Sequence, residues 1–211
     1  MTVCLQLDHV NYSYGVAKIR VLSDVNADFE FGKMYAITGP SGAGKSTLLS
    51  LLAGLDAPSD GVVRFEGEDI VTTGYSRHRR EHVSLVFQDH NLIDYLTPEE
   101  NLRLVNPKAD MKILEDLGLS REESKRNIMH LSGGQRQRVA VGRALVAPGR
   151  AILADEPTGN LDPEMTDEVI NLLRHAAHQL GKCVIVVTHS KRVAGSADAV
   201  YTLRRKKLAK A

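Results

Sequence analysis

Three short, almost unbroken apolar runs stand out along a mixed chain: MYAIT at 34–38, AILAD at 151–155 and CVIVVTH at 183–189. Each has the length and character of a strand buried on both faces. Together they predict a sheet covered on either side, hence an α/β fold. The segments VCLQLDHV, NADFEFG and GVVRFEGEDI differ: they alternate with period two and carry turn glycines. They predict an antiparallel β flank.

Helices are marked at their ends. One is expected from Gly44 or Lys45 through STLLSLLAGL. TPEENLRL offers Thr97 as N-cap, Pro98 at the first position and Glu100 three residues after the cap. DPEMTDEVINLLRHAAHQLG offers Asp162 as cap, Pro163 next and Gly181 as stop. LSGGQRQRVAVGRAL, Leu131 to Leu145, opens on a glycine pair and closes as a helix-forming run. Between Gln88 and Leu131 the chain reads as helical and polar, without β-rich runs. We expect one domain over 1–211. Its core and β flank span 1–88 plus 132–211, and 89–131 forms an inserted helical subdomain.

Length and composition change this picture little. A chain of 211 residues, 43% hydrophobic and 25% charged, suits one soluble globular domain with a real core. The net charge of +1 gives no global field toward nucleic acid or anionic lipid. Cys4 and Cys183 lie in separate strand-like runs without CxxC spacing, and read as buried reduced thiols in a reducing cytosol. The start MTVCLQLDHV lacks a basic segment followed by an apolar block, so no signal peptide is expected there. No stretch approaches about 18 consecutive apolar residues, the length of a membrane span. The closing LRRKKLAK reads as a solvated basic tail.

The chemistry lies in the glycine loops. GPSGAGKST, Gly39 to Thr47, fits the P-loop pattern at Gly39, Gly44, Lys45 and Ser46, after an expected strand and before an expected helix. In such a loop (Gly39, Pro40, Ser41, Gly42, Ala43, Gly44) the backbone N–H groups close around phosphate oxygens. The helix N-terminus adds positive potential. Lys45 is expected to reach the β- and γ-phosphates, Ser46 to ligate Mg²⁺ and Thr47 to add a phosphate donor. Asp155 ends an apolar strand, where a carboxylate holds Mg²⁺ through water. Glu156 follows, placed to orient or deprotonate an attacking water. Gln88 and His189 end two further strand-like runs, and strand ends in an open α/β sheet face the ligand crevice. They are candidates for contact with the γ-phosphate and the water or metal. Ser132, Gly133, Gly134 and Gln135 offer a second N–H cradle at a helix start. It belongs with the helical insert and is not expected to reach the P-loop of its own chain. A two-fold dimer, each copy closing the other's nucleotide, is the economical arrangement.

With these elements in this order, nearly the whole chain resembles the nucleotide-binding domains of ABC transporters. The resemblance implies a RecA-like P-loop NTPase core that binds ATP and Mg²⁺ and hydrolyses ATP. In it Gly39–Thr47 is Walker A, Gln88 the Q-loop glutamine and Leu131–Gln135 the signature. Ile152–Asp155 is Walker B with Glu156 as base, His189 the switch histidine and Asn160–Leu161–Asp162 the D-loop. It also implies an aromatic residue stacked on adenine. YSYG offers Tyr12 and Tyr14, and Tyr14, directly before Gly15, is preferred. ADEPTGNLD and the frame around the P-loop look most like the macrolide-exporter, lipoprotein-release and cell-division branch, with relatives in antimicrobial-peptide resistance and haem efflux. That branch implies a separate permease of few transmembrane helices with a large external domain. The ATPase would then sit on the cytoplasmic face of the membrane, held only through that permease. The stretch from Gln88 to Leu131 is shorter than is usual there, which bears on subfamily and partner and leaves the ATP site intact. The rival is an ABC ATPase without a permease, such as an iron–sulfur assembly subunit. A non-hydrolysing sensor would be expected to lack the acid at Glu156.

Overall fold

The structure, a computed structural model, describes residues 2–15, 18–159 and 161–211. In chain order it runs through β1 (Val3–Tyr14), β2 (Ile19–Glu30) and β3 (Met34–Thr38) to α1 (Lys45–Leu52). Then come β4 (Asp60–Phe65), β5 (Glu68–Asp69), α2 (Ile70–Thr73) and α3 (Tyr75–Arg77), which passes into a π-helical turn at His78–His82. After β6 (Val83–Val86) come α4 (Pro98–Val105), α5 (Lys112–Asp116), α6 (Arg121–Ser124) and α7 (Gly133–Val146). The chain closes with β7 (Ala151–Asp155), α8 (Pro163–His178), β8 (Cys183–Val187), α9 (Lys191–Gly195), β9 (Ala199–Arg204) and β10 (Lys207–Lys210).

Two sheets form. The first, in order β2-β1-β4-β5, is antiparallel. The second runs β10-β9-β3-β8-β7-β6 and is parallel except for β10. The pleat of the central strands explains their unbroken apolar character. Cys183, Ile185 and Val187 of β8 point into one core with α1 and the antiparallel sheet. Val184 and Val186 point into a second core with α4, α5, α7 and α8. Both faces are dry, so both alternate positions are hydrophobic.

The cap readings hold at atomic detail. Thr97 and Glu100 form a reciprocal capping box on α4 with Pro98 in the first turn, and Asp162 accepts the Met165 N–H at the start of α8. α8 ends at His178, and Gly181 takes up a positive φ of 66° in the turn that follows. β8 is shorter than the apolar run: it stops at Val187, leaving Thr188 and His189 beyond the strand. The basic end of the chain is no free tail. Arg205 and Lys206 turn with φ of 50° and 67°, and β10 pairs antiparallel with β9 from Lys207↔Arg204 to Lys210↔Tyr201. Its charged side chains still face water, so a solvated surface and a paired backbone coexist in one segment. Cys4 and Cys183 are both buried and unbridged. The helices between Gln88 and Leu131 are short, and α7, which begins just beyond them, shares its core with α4 and α5. No helix among the described residues is long and apolar enough to cross a membrane.

Candidate active site

The carboxyl ends of β3, β6, β7 and β8 gather at one edge of the parallel sheet, the usual ligand position in open α/β folds. A cleft of about 370 Å³ opens there, lined by Ser41, Gly42, Gly44, Lys45, Ser46 and Thr47 of the glycine loop and α1. Gln88, Asp155, Glu156 and His189 close it from the neighbouring strand ends, and Tyr14 and Val21 from β1 and β2. Gly39, Pro40 and Ala43 shape the loop itself. Pro40 O accepts the Ala43 N–H at 3.2 Å. Gly39 sits at φ 151°, where a Cβ would collide with the carbonyl oxygen of Leu203. Gly44, the N-cap of α1 at φ 99°, would bring a Cβ within 2.6 Å of Val21 Cγ1. The loop glycines are thus demanded by backbone angle and by close packing, independently of any ligand.

Lys45 is 7% exposed. Its ammonium donates to Gly39 O at 2.9 Å and Pro40 O at 3.1 Å, and lies 3.4 Å from His189 Nε2. Across the cleft Glu156 takes φ 49°, a left-handed conformation that a residue with a Cβ adopts only under constraint. The constraint comes from β8: the Glu156 N–H donates to Val187 O at 2.9 Å, and Thr188 Oγ1 donates to Glu156 Oε2 at 3.2 Å. Glu156 Oε1 is buried without a hydrogen bond among the described residues, with His189 Nε2 at 3.6 Å. A half-satisfied carboxylate held rigidly at the wall of the cleft that also holds Lys45 is suited to accept a proton from a water there.

The two tyrosines separate clearly. Tyr12 is buried and its hydroxyl donates to Asp56, while Tyr14 is 48% exposed at the mouth of the cleft. Tyr12 stands edge-on to the Tyr14 ring, centroids 4.8 Å apart, and Tyr14 Oη lies 3.0 Å from Thr47 Oγ1. Tyr12 therefore braces the ring that is free to take a base on its face.

The second glycine cradle stands apart from this cleft. Ser132 N-caps α7: its Oγ accepts the Gln135 N–H at 3.2 Å, and Gln135 Oε1 accepts the Ser132 N–H at 2.8 Å. The box uses two of the donors expected there, and leaves the Gly133 and Gly134 N–H groups as the helix-end donors without an intrahelical acceptor. Asp162 also lies outside the cleft, its carboxylate engaged as the α8 cap. Of the D-loop reading, Asn160 falls outside the described residues. Sequence reasoning missed Val21 and Thr188. Thr188 carried a signal in hindsight, as a polar residue ending an apolar strand one position before His189.

The donors that could hold a cation are Ser46, Gln88 and Asp155, all on the cleft wall and all offering oxygen. A set of one carboxylate with neutral oxygens fits Mg²⁺, which keeps several waters and shares the phosphates of its nucleotide.

A glycine loop feeding a helix, a buried lysine beneath it and two consecutive carboxylates on the adjoining strand end define a P-loop nucleoside triphosphatase. The chain belongs to the ABC transporter family: the model of that family, ABC transporter, matches residues 22–159. It is 37% identical over 211 residues to the uncharacterized ABC transporter ATP-binding protein YclH of Bacillus subtilis, covering 95% of this chain and 93% of that protein. It is 38% identical over 219 residues to the macrolide export ATP-binding/permease protein MacB of Escherichia coli strain K12, covering 97% of this chain and 34% of MacB. The chain thus spans about a third of MacB's length. Among solved structures, the dimeric bacterial ABC transporter cassette MJ0796 superposes with a TM-score of 0.90 at 32% identity, over 98% of both chains. The same cassette in a post-hydrolysis dimer bound to ADP and Pi superposes at 0.85, also at 32% identity. This chain is therefore an ATP-binding, ATP-hydrolysing subunit of the ABC family.

Proposed function

We propose that this chain works as a homodimer sandwiching two ATP–Mg²⁺ and drives a separate membrane permease of an export or mechanotransmission system. The observation that carries the reading is the division of the cradles. The cleft gathers the loop, Gln88, both carboxylates and His189, while Ser132–Gln135, at the start of α7, is not part of its lining. A second copy supplies the missing wall, and the dimeric MJ0796 cassette is a precedent for such pairing. Lys45 neutralises the β- and γ-phosphates, and the loop N–H groups hold them. Glu156 orients or deprotonates the attacking water, with His189 and Gln88 at the γ-phosphate. Tyr14 takes the adenine. Mg²⁺, held by Ser46 and Asp155 with Gln88 in reach, would further neutralise the phosphate charge. Asp162 contributes by setting the start of α8.

Residues 89–131 serve as the moving helical subdomain. Beside the Gln88 loop lies a groove of about 360 Å³, lined by Phe87, Leu104, Val105, Arg79, Arg80 and Arg143. An apolar floor with cationic walls supports docking of a permease segment. The 38% identity to MacB, whose printed name joins ATP-binding and permease parts, supports a MacB-like permease as the partner. Membrane contact at the cytoplasmic face then runs through that partner, and substrate choice, whether macrolide, lipoprotein, peptide or haem, rests with it.

The test is the mass of Glu156→Gln by light scattering with and without ATP and Mg²⁺. The amide cannot take a proton, so ATP stays bound and the expected species is a dimer with ATP and a monomer without. A monomer under both conditions, with ATP bound, overturns the sandwich.

A further inference from the structure

We propose that Arg143 is a positioning residue for ATP hydrolysis, holding the loop that carries Gln88 and tying it to the helix that begins at Ser132. The proposal rests on the reading of Gln88 as a γ-phosphate and metal contact.

Two residues after Gln88 the backbone turns sharply. His90 and Asn91 take φ of 60° and 49°, two consecutive left-handed residues, neither of them glycine. His and Asn tolerate that region better than most residues with a Cβ, but as single residues, and two in succession need surroundings that hold them. Part of the constraint is local: Phe87 O accepts the His90 N–H at 3.2 Å and Asp89 O the Asn91 N–H at 2.6 Å. The rest comes from fifty residues away. Arg143 Nη1 donates to Asn91 O at 2.6 Å and Nη2 to His90 O at 3.3 Å. A planar guanidinium fork suits two adjacent carbonyls, which a lysine cannot span.

Apart from standing on the wall of the adjoining groove, Arg143 spends its guanidinium on these two carbonyls. It makes no ion pair with a carboxylate among the described residues, and burial presses its pKa down. A desolvated cation committed to two loop carbonyls needs that loop in one conformation, and gives the loop that conformation in return. Its helix explains the consequence. From the Ser132 cap to Arg143, α7 extends about 16 Å as one continuous rod. Arg138, on the same helix, donates to Leu117 O at 3.0 Å and Gly118 O at 3.1 Å, and so fastens the rod to the turn after α5. Movement of Gln88 onto a γ-phosphate is thereby transmitted to the helix that presents Ser132–Gln135 to the partner copy, and the reverse.

A four-way cycle of Arg143→Ala, Gln88→Ala, the double variant and wild type tests this through steady-state ATPase kinetics of the purified protein. Arg143→Ala is expected to lower kcat about tenfold with KM for ATP within about twofold, because positioning is lost and ground-state binding is not. In the Gln88→Ala background the same substitution is expected to cost less than about twofold, since its effect passes through Gln88. Arg143→Lys, reaching one carbonyl at most, should recover part of kcat, and should carry the same cycle if Arg143→Ala fails to fold. Fully multiplicative losses would reduce Arg143 to packing and overturn the proposal while leaving Gln88 in its role. A raised KM at unchanged kcat would overturn it as well. If Gln88→Ala alone leaves kcat unchanged, the reading of Gln88 falls, and the role of Arg143 with it.

Discussion

Lys45 shows how a single side chain is prepared by its surroundings. It is buried among backbone carbonyls, its ammonium bridging Gly39 O and Pro40 O, without a carboxylate in ion-pair range among the described residues. Such a cation favours an incoming anion strongly, because little water has to be displaced from it. Lys45→Ala is therefore expected to weaken ATP binding by about tenfold or more and to abolish turnover, the usual cost of losing a charge-assisted contact to phosphate. Titration with a fluorescent ATP analogue, beside a phosphate-release assay, checks both. Wild-type turnover in the variant would remove Lys45 from the site. Glu156 shows the converse preparation, a strained backbone and one unpartnered oxygen tolerated because Val187 and Thr188 hold the residue in place.

At the scale of elements, α1 is anchored at both ends by different chemistry. Its N-terminus is the phosphate loop. At its C-terminus the Leu52 carbonyl accepts a hydrogen bond from His78 Nε2 at 3.0 Å. His78 is fully buried, and its Nδ1 faces His82 Nδ1 at 3.3 Å. With Nε2 donating, His78 Nδ1 must accept from His82, so a protonated His78 would set two N–H groups against each other. Burial holds the His78 pKa below its ordinary value, and does the same for His82 and His90. The unfolded chain then takes protons first. The stabilisation is complete above the unfolded value of about 6.5 and is lost as pH falls below it toward the lowered native value. His9, held up by Asp24 at the surface, acts in the opposite sense. Urea midpoints measured from about pH 7.5 down to about pH 5.5 are expected to fall in the wild type and to fall less in His78→Gln. His82 and His90 keep some of the slope. An unchanged slope would show that His78 is not the titrating group.

For the whole molecule the proposed feature to test is that one chain carries both halves of a site closed only by a second copy. Ser132→Arg is expected to spare ATP binding by the monomer and to block ATP-driven pairing in the Glu156→Gln background. The added side chain would occupy the place of the partner's γ-phosphate while the home cleft stays intact. Equilibrium binding together with sedimentation checks the two halves separately. Normal pairing would refute a role for the second cradle in trans.

How much of this was legible in the chain follows from the range of the forces involved. The P-loop, the capping box at Thr97, the Asp162 cap and the central strands are local events. Each rests on residues within a few positions of one another, so spacing and residue type by themselves determined them. Only the tertiary structure decided what depends on distant partners. It buried Tyr12 and left Tyr14 exposed at the cleft, with Asp56, forty-four residues away, engaging the Tyr12 hydroxyl. It turned the basic end into a strand, because β9 offered an open edge. It set the two left-handed residues after Gln88 under the fork of Arg143. Hydrogen bonds across such separations leave no periodicity and no spacing in the sequence, and exist only once the sheet and helices have brought their ends together.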